Sequence, residues 1–488
     1  MRTVSQTLRE ITTARIEPNG TFEQSFNALG QTEQTLMVDV AGTKPLNLIS
    51  RLSQLLAYPH GCVEQTTSKA FPQLCLSDYC SLSAADQQEA EENVKRAIDR
   101  LKNYQTAEGG MSYWPNGKYS NNWASAYVLH FFLEASARGY YVPDDMQRRL
   151  KSYVTSQVNN WSADKPAAPA AYSLYVLAKM QKAEQGAMNR MKENAKVLSE
   201  GELCLLGAAY ALNGQKEVCQ QLTGMSGRQG ETYWFPRRVA KLLAHTYLED
   251  NLAHDLAEET RLDLISDSYL STASTALSLI AMGEYYKRNN PDVNMEFSVS
   301  ADGKKVDDIK TAKKMWNKEL AMSGKAMKLS VKNLNKGVLY LTATTQGLAT
   351  QCPVEAAESG LQLAVTYLGE DGSPLDPSTL TQSTTFKAHF TIRNTTGKEI
   401  ENVAITHIVP AGWEILGTQP SGEVSYQDQR DDRLLSYIDR FGNGKVVTID
   451  LHLSATYSGQ YYMPSIHAEA MYDATISGRT ASSQCVVK

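Results

Sequence analysis

The spacing of apolar residues changes twice along this 488-residue chain, and that change limits its possible folds more than any other feature of the sequence. Up to about residue 43 the spacing alternates. Leu36, Val38 and Val40 are separated by polar neighbours, the period of a strand with one buried face. Gly42 and Pro45 interrupt it, and from about 46 to 288 the spacing is helical. Leu48, Ile49, Leu52, Leu55 and Leu56 fall on one helical face. Runs at 124–134, 171–180, 202–211, 239–248 and 274–286 follow, rich in Ala, Leu and Tyr and poor in charge, so these helices are expected to be buried on more than one side. About ten to twelve helices without a strict repeat predict stacked helical hairpins rather than a regular solenoid. After about 290 alternation returns in Met295, Phe297 and Val299, and Asp302-Gly303 supplies a hairpin turn.

The flanking β segments are each too short to be complete. We therefore expect 1–45 and 289–357 to be two parts of one β domain, with a helical domain, 46–288, inserted between them. Such an insertion is physically easy when the ends of the inserted domain lie close together. Residues 354–360 read as a linker. From 358 to 488 three alternating runs predict a β-sandwich: Phe386 to Ile392, Val403 to Val409 and Val447 to Leu453. The fold class expected is thus multidomain, α and β.

With 42% hydrophobic residues, wholesale disorder is excluded, and a net charge of −5 gives no reason to expect nucleic acid as a partner. No apolar run reaches membrane-spanning length. The opening Met1-Arg2-Thr3-Val4-Ser5 lacks a signal-peptide core, so the chain is expected to be either cytoplasmic or a piece of a longer exported protein. Seven cysteines, at 62, 75, 80, 204, 219, 352 and 485, form no C-x-x-C pair, which argues against a zinc site or a thioredoxin-like centre. Cys75, Cys80, Cys204 and Cys219 lie in apolar stretches read as helical and are expected to be buried, inert thiols. No metal or cofactor is expected.

Chemistry concentrates in Tyr58-Pro59-His60-Gly61-Cys62-Val63-Glu64-Gln65-Thr66-Thr67. Pro59 and Gly61 break the preceding helix, and a new one is predicted from near Cys62 to about Phe71. Residues three apart share a side of a helical turn, so the Cys62 thiol and the Gln65 carboxamide can meet. A helix N-terminus there would favour the thiolate. Attack of sulfur on the Gln65 carbonyl, with loss of ammonia, closes an internal thioester, an activated acyl group. Glu64 could tune this site or face solvent.

Gly61-Cys62-Val63-Glu64-Gln65 resembles the G-C-x-E-Q thioester signature of the α2-macroglobulin and complement family, and Tyr58-Pro59 with Thr66-Thr67-Ser68 resembles its bacterial branch. Gln-Thr-Ala-Glu-Gly-Gly-Met-Ser-Tyr-Trp at 105–114 is similar to the Q-x-x-x-G-G-F-x-x-W segment of that family's thioester domain. Gly459-Gln460-Tyr461-Tyr462-Met463-Pro464 and Ala468-Glu469-Ala470-Met471-Tyr472-Asp473 resemble the last macroglobulin-like domain of bacterial members.

The resemblance implies an α/α-toroid thioester domain inserted in a CUB-like β domain, followed by a macroglobulin-like β-sandwich. It implies a single-use covalent trap rather than an enzyme: a lysine amine of a protease attacks the Gln65 acyl carbon, and Cys62 leaves. Tyr58, Met471 and Tyr472 match the family positions that shield the bond. Complete members carry a bait segment and further macroglobulin domains ahead of this region. The chain is therefore expected to be the C-terminal part of a larger exported protein, periplasmic or in the cell envelope, monomeric, with a membrane-anchored parent left open. No histidine matches the complement position that redirects the acyl group to hydroxyls, so amines are the expected nucleophiles. Two alternatives remain. One is an adhesion module using the same bond. The other is an enzyme of the terpenoid cyclase or prenyltransferase type, which shares the toroid but needs an aspartate cluster or zinc site that 46–288 does not supply.

Overall fold

The computed structural model describes residues 5–30, 32–44, 51–52, 55–56, 61–75, 80–81, 84–228, 235–266, 269–289, 294–350, 354–420 and 422–488. The chain divides into two compact units. One comprises Met1–Glu10, Ala28–Thr35 and Thr345–Lys488, and the other Ile11–Asn27 and Leu36–Thr344.

Strands β1 (Ser5–Ile16), β2 (Thr21–Asn27) and β3 (Thr32–Ala41) precede the helices, and β4 (Cys80–Ser81) lies among them. Strands β5 (Met295–Ala301), β6 (Lys304–Thr311), β7 (Met315–Ala321), β8 (Ala326–Asn333) and β9 (Leu339–Thr350) follow the helices. They form a five-stranded sheet in the order β1-β9-β3-β7-β4 and a four-stranded one in the order β2-β8-β5-β6. The segments on either side of the helical block therefore share sheets, as the split alternation predicts. Pairing of β2 with β8 is antiparallel, from Thr21 opposite Lys332 to Asn27 opposite Ala326. The Asn333 amide adds bonds to the carbonyls of Ile16 and Glu17 at 3.0 and 3.1 Å, satisfying buried backbone across the long sequence gap.

Among the described residues there are eleven α-helices: α1 (Val63–Ala70), α2 (Ala84–Leu101), α3 (Asn122–Ala137), α4 (Asp144–Asn159), α5 (Ala167–Lys179), α6 (Gln185–Glu193), α7 (Glu200–Leu212), α8 (Lys216–Thr223), α9 (Arg237–Leu248), α10 (Leu252–Ile265) and α11 (Thr272–Arg288). The odd-numbered helices pack each on the next, α1 on α3 and so on to α11, which closes on α1. The even-numbered ones pack outside them. Sequence explains this sorting. Helix α3 buries twelve of its sixteen residues, as an inner helix must, whereas α4 buries only Met146, Leu150, Tyr153, Val154 and Val158, one stripe.

The centre of the ring is filled. Tyr175 of α5 meets Tyr247 of α9 at 3.1 Å between hydroxyls, and Lys179 of α5 reaches Glu134 of α3 at 2.7 Å and Glu284 of α11 at 2.9 Å. Of the expected helical leucines, Leu52 and Leu55 are helical and buried and Leu56 is exposed; Leu48 and Ile49 lie outside the described residues. Cys204 in α7 and Cys219 in α8 are buried as expected. Cys75, however, ends a 3₁₀ turn (Phe71–Cys75), and Cys80 is in a strand that pairs with β7.

In the other unit, Leu361–Gly369, Thr385–Asn394, Val446–Ala455 and Trp413–Pro420 form a four-stranded sheet. A six-stranded sheet centres on Ile400–Ile408 and Arg433–Phe441. Phe386, Phe390, Trp413, Ile405 and Ile449 belong to one apolar core. The stretch read as a linker is partly sheet: Ala357–Ser359 pairs with Asp473–Arg479. All three of its residues are exposed, so no apolar alternation announces this edge strand.

Candidate functional site

Cys62 is the N-cap of α1, with extended backbone at φ −68° and ψ 171°. The Gln65 N–H donates to Cys62 Sγ at 3.5 Å, and the Cys62 N–H donates to Gln65 Oε1 at 3.4 Å. This is a capping box, the reciprocal pairing that satisfies two unbonded amides at a helix start. It folds the sulfur and the Gln65 side-chain carbonyl over one turn, so the spacing of three does bring them together. Both residues are fully buried.

The segment 105–114 holds this turn in place. Gly109 has φ +94°, and a Cβ on it would lie 2.9 Å from the Arg149 carbonyl oxygen. A Cβ on Gly110 would lie 2.6 Å from Ser120 Oγ. Glycines are therefore required at both positions. The Thr106 N–H bonds the Gly110 carbonyl at 2.9 Å, and Met111 bridges to Gln105 and to Asn121. The turn so formed delivers Tyr113. Its carbonyl accepts from the Val63 N–H at 3.0 Å. The Tyr104 hydroxyl and Arg100 Nη2 both donate to the Gly61 carbonyl.

The expected thiolate is not what this environment favours. Burial pushes the Cys62 thiol up to about 12, and the negative charge of Glu64 adds to that; the Gln65 amide and the Tyr113 hydroxyl oppose them and lose. Desolvation of an anion outweighs the helix N-terminus here because the site is fully buried. Glu64 does not face solvent. It is fully buried and accepts from Ser68 Oγ at 2.6 Å and from Thr272 Oγ1 at 2.9 Å to each oxygen. Thr272 opens α11, so the contact that closes the ring is made beside Cys62.

Tyr58 and His60 lie outside the described residues. Met471, buried, and Tyr472, half-buried, form the two-residue turn between His467–Ala470 and Asp473–Arg479 in the other compact unit, and the Met471 N–H bonds the Asn402 carbonyl at 3.0 Å. The segment containing Tyr113 is legible in the sequence, but its bond to the Val63 N–H is not. Thr272 carried no signal. Chemically, the Cys62–Gln65 pair can condense, with loss of ammonia, to a thioester enclosed by the ring.

Residues 34–171 match the model of the A-macroglobulin TED domain, and residues 360–474 match that of the bacterial alpha-2-macroglobulin MG10 domain. The alpha-2-macroglobulin of Escherichia coli K12 is 24% identical over 503 aligned positions, which take in 92% of this chain and 29% of that protein. A homolog from Yersinia pestis is 22% identical over 522 positions, covering 93% of this chain and 25% of its own length. The crystal structure of native E. coli alpha-2-macroglobulin from domain MG7 to the C-terminus superposes with a TM-score of 0.78 at 21% identity, over 99% of this chain and 82% of that one. Salmonella alpha-2-macroglobulin reacted with methylamine gives 0.77 at 21% identity, over 99% and 34%. This chain thus spans less than a third of the length of those two full-length curated relatives. It belongs to the bacterial α2-macroglobulin family and corresponds to its C-terminal region.

Proposed function

We propose that this chain is the thioester-bearing part of a bacterial protease inhibitor that captures its target once and covalently. The observation that carries the proposal is the buried capping box of Cys62 and Gln65. A lysine amine of the protease attacks the Gln65 acyl carbon, an amide forms, and the Cys62 thiol is released. The raised pKa of that thiol supports the reading, because a sulfur that leaves reluctantly keeps the acyl group on it until the site opens. The Salmonella relative was crystallised after reaction with methylamine, a minimal lysine surrogate.

In this reading Tyr58, Met471 and Tyr472, which match the family's shielding positions, would protect the bond. Residues 1–45 and 289–357 serve as one CUB-like domain carrying the ring, and 358–488 as the macroglobulin-like domain. The parent protein would be monomeric and periplasmic or held in the cell envelope.

A cyclase-type reaction is disfavoured by the filled ring centre, where Lys179 bridges Glu134 and Glu284 among stacked tyrosines. Covalent adhesion would use the same bond on another partner. The test is to expose the full-length parent to a protease and map the linkage. A denaturation-resistant adduct joining Gln65 to a protease lysine is expected. Protease inhibition without any adduct at Gln65, or linkage to a host-surface protein alone, would refute the trap.

A further inference from the structure

We propose that the backbone N–H of Cys62 is the oxyanion donor of the acyl transfer, and that Tyr104 and Thr66 are positioning residues that aim and strengthen it. The inference rests on the thioester reading of Cys62 and Gln65, and it adds how charge on the acyl oxygen is met. That oxygen is Gln65 Oε1, and the Cys62 N–H donates to it at 3.4 Å. The other end of the same peptide group is the Gly61 carbonyl. It accepts from the Tyr104 hydroxyl and from Arg100 Nη2, the latter at 3.4 Å. A trans peptide is planar, with its C=O and N–H pointing opposite ways, so holding the oxygen also fixes where the N–H aims. Tyr104 is itself held. It is fully buried, and its carbonyl accepts from the Ser112 N–H at 2.8 Å and from Ser112 Oγ at 2.9 Å.

Counting protons sets the direction of this chain. A carbonyl only accepts, so the Tyr104 hydroxyl spends its one proton on Gly61. The contact between the Tyr104 and Thr66 hydroxyls, at 3.4 Å, therefore has Thr66 as donor. Three hydrogen bonds then run in one sense: from Thr66 to Tyr104, from Tyr104 to the Gly61 carbonyl, and from the Cys62 N–H to the acyl oxygen. Bonds aligned this way polarise one another. In the reaction the amine nitrogen attacks the Gln65 carbonyl carbon, and the carbonyl electrons move to oxygen. On collapse they return, and the carbon–sulfur pair passes to sulfur. The proton that the nitrogen sheds ends on sulfur, so amine and thioester give amide and thiol. The passing charge on oxygen forms in a fully buried site beside Glu64, whose side chain is equally buried, and a fixed donor lowers its cost there. A bond of 3.4 Å is long for a neutral oxygen and tightens as that oxygen charges, so it favours the transition state over the ground state.

The experiment reads the thioester carbonyl stretch in the infrared difference spectrum recorded on adding methylamine, together with the rate of thiol release. It compares wild type, Tyr104→Phe, Thr66→Val and protein carrying monofluorotyrosine in place of Tyr104. Tyr104→Phe is expected to raise the carbonyl frequency and to slow thiol release about 2- to 5-fold, the share of one charged hydrogen bond that a polarising neighbour supplies. Thr66→Val should move both readings the same way by less. Monofluorotyrosine keeps the ring and donates more strongly, so it should lower the frequency and speed release. That is the reverse of Tyr104→Phe, and loosened packing does not produce it. Burial holds the Tyr104 hydroxyl above its ordinary range, so the analogue stays protonated near neutral pH. If Tyr104→Phe leaves the frequency unmoved, or releases thiol faster, the residue is only a cover and the proposal is overturned. Monofluorotyrosine that leaves the frequency unmoved or raises it overturns the proposal as well, and that reading decides if Tyr104→Phe does not fold. A wild type that takes up no methylamine would instead overturn the thioester reading, and this proposal with it.

Discussion

Helix α7 starts with the same device as α1. At α7 the Ser199 N–H donates to Glu202 Oε2 at 2.7 Å and the Glu202 N–H donates to Ser199 Oγ at 3.4 Å; at α1 the same two positions hold Cys62 and Gln65. The backbone solution is identical, and both helices belong to the inner ring. The chemistry is not. A carboxylate resists nucleophilic attack and an alcohol is a weak nucleophile, so the first box only caps. An amide facing a thiol can condense. The capping box brings heteroatom and carbonyl together, and residue identity decides whether anything follows. The surroundings differ too. The Ser199 box is flanked by ion pairs of Glu200 with Arg237 and Lys241, whereas Glu64 beside Cys62 is held by hydroxyls of Ser68 and Thr272.

The strongest way to erase the difference is Cys62→Ser, which turns the reactive box into an ordinary one. Methylamine incorporation at Gln65 should fall to background while the unfolding midpoint moves little. Residual incorporation there would mean that another nucleophile holds the acyl group. Next in size is Lys179→Met, which removes the most buried of the cations on Glu134 and Glu284 and leaves them Arg138, Lys287 and Arg288. We expect a loss of about 1.5–3 kcal/mol, the range for a bond to a charged group, in the transition of the ring unit on urea unfolding. Lys387→Met is the control in the sandwich. Its partner is Asp450, the two side chains are 29% and 23% exposed, and the loss should stay below about 1 kcal/mol.

Acid should weaken the ring in two stages. Burial holds His130 down to about 3 from an ordinary 6.5, so its contribution is full above about 6.5 and is lost as the pH falls toward 3. Burial alone would raise Glu284, but Lys179 and Lys287 hold it down to about 2, so its contribution is full above its ordinary 4.5 and is lost as the pH falls toward 2. Melting temperature against pH should therefore decline from about pH 6.5 downward. His130→Phe should remove the upper part of that decline, and Lys179→Met should flatten the lower part. Ser199→Ala should cost about 1 kcal/mol and leave the methylamine rate unchanged. A changed rate would show that the two boxes are coupled.

The architecture was legible where physics is local. The switch from alternation to helical spacing marked the inserted block, and the nearly uninterrupted apolar run of α3 marked an inner helix. Cys62 and Gln65 were legible because a spacing of three on a helix start is geometry. Other features depend on ring closure, which sequence does not show. Glu64 finds Thr272 some two hundred residues away, and the depth of burial that raises the Cys62 thiol, against the pull of its helix, follows from the same closure. Tyr113 stood in a segment identified by resemblance, but only the turn at Gly109 and Gly110 brings its carbonyl to the Val63 N–H.

Intact mass of the untreated, non-reduced protein, followed by thiol counting before and after methylamine, tests the Cys62–Gln65 bond most directly. The expected mass is one ammonia below that of the sequence, with one thiol, mapping to Cys62, that becomes reactive only after methylamine and a methylamide at Gln65. A protein at the full sequence mass that takes up no methylamine, with Cys62 reactivity unchanged by the treatment, would contradict it.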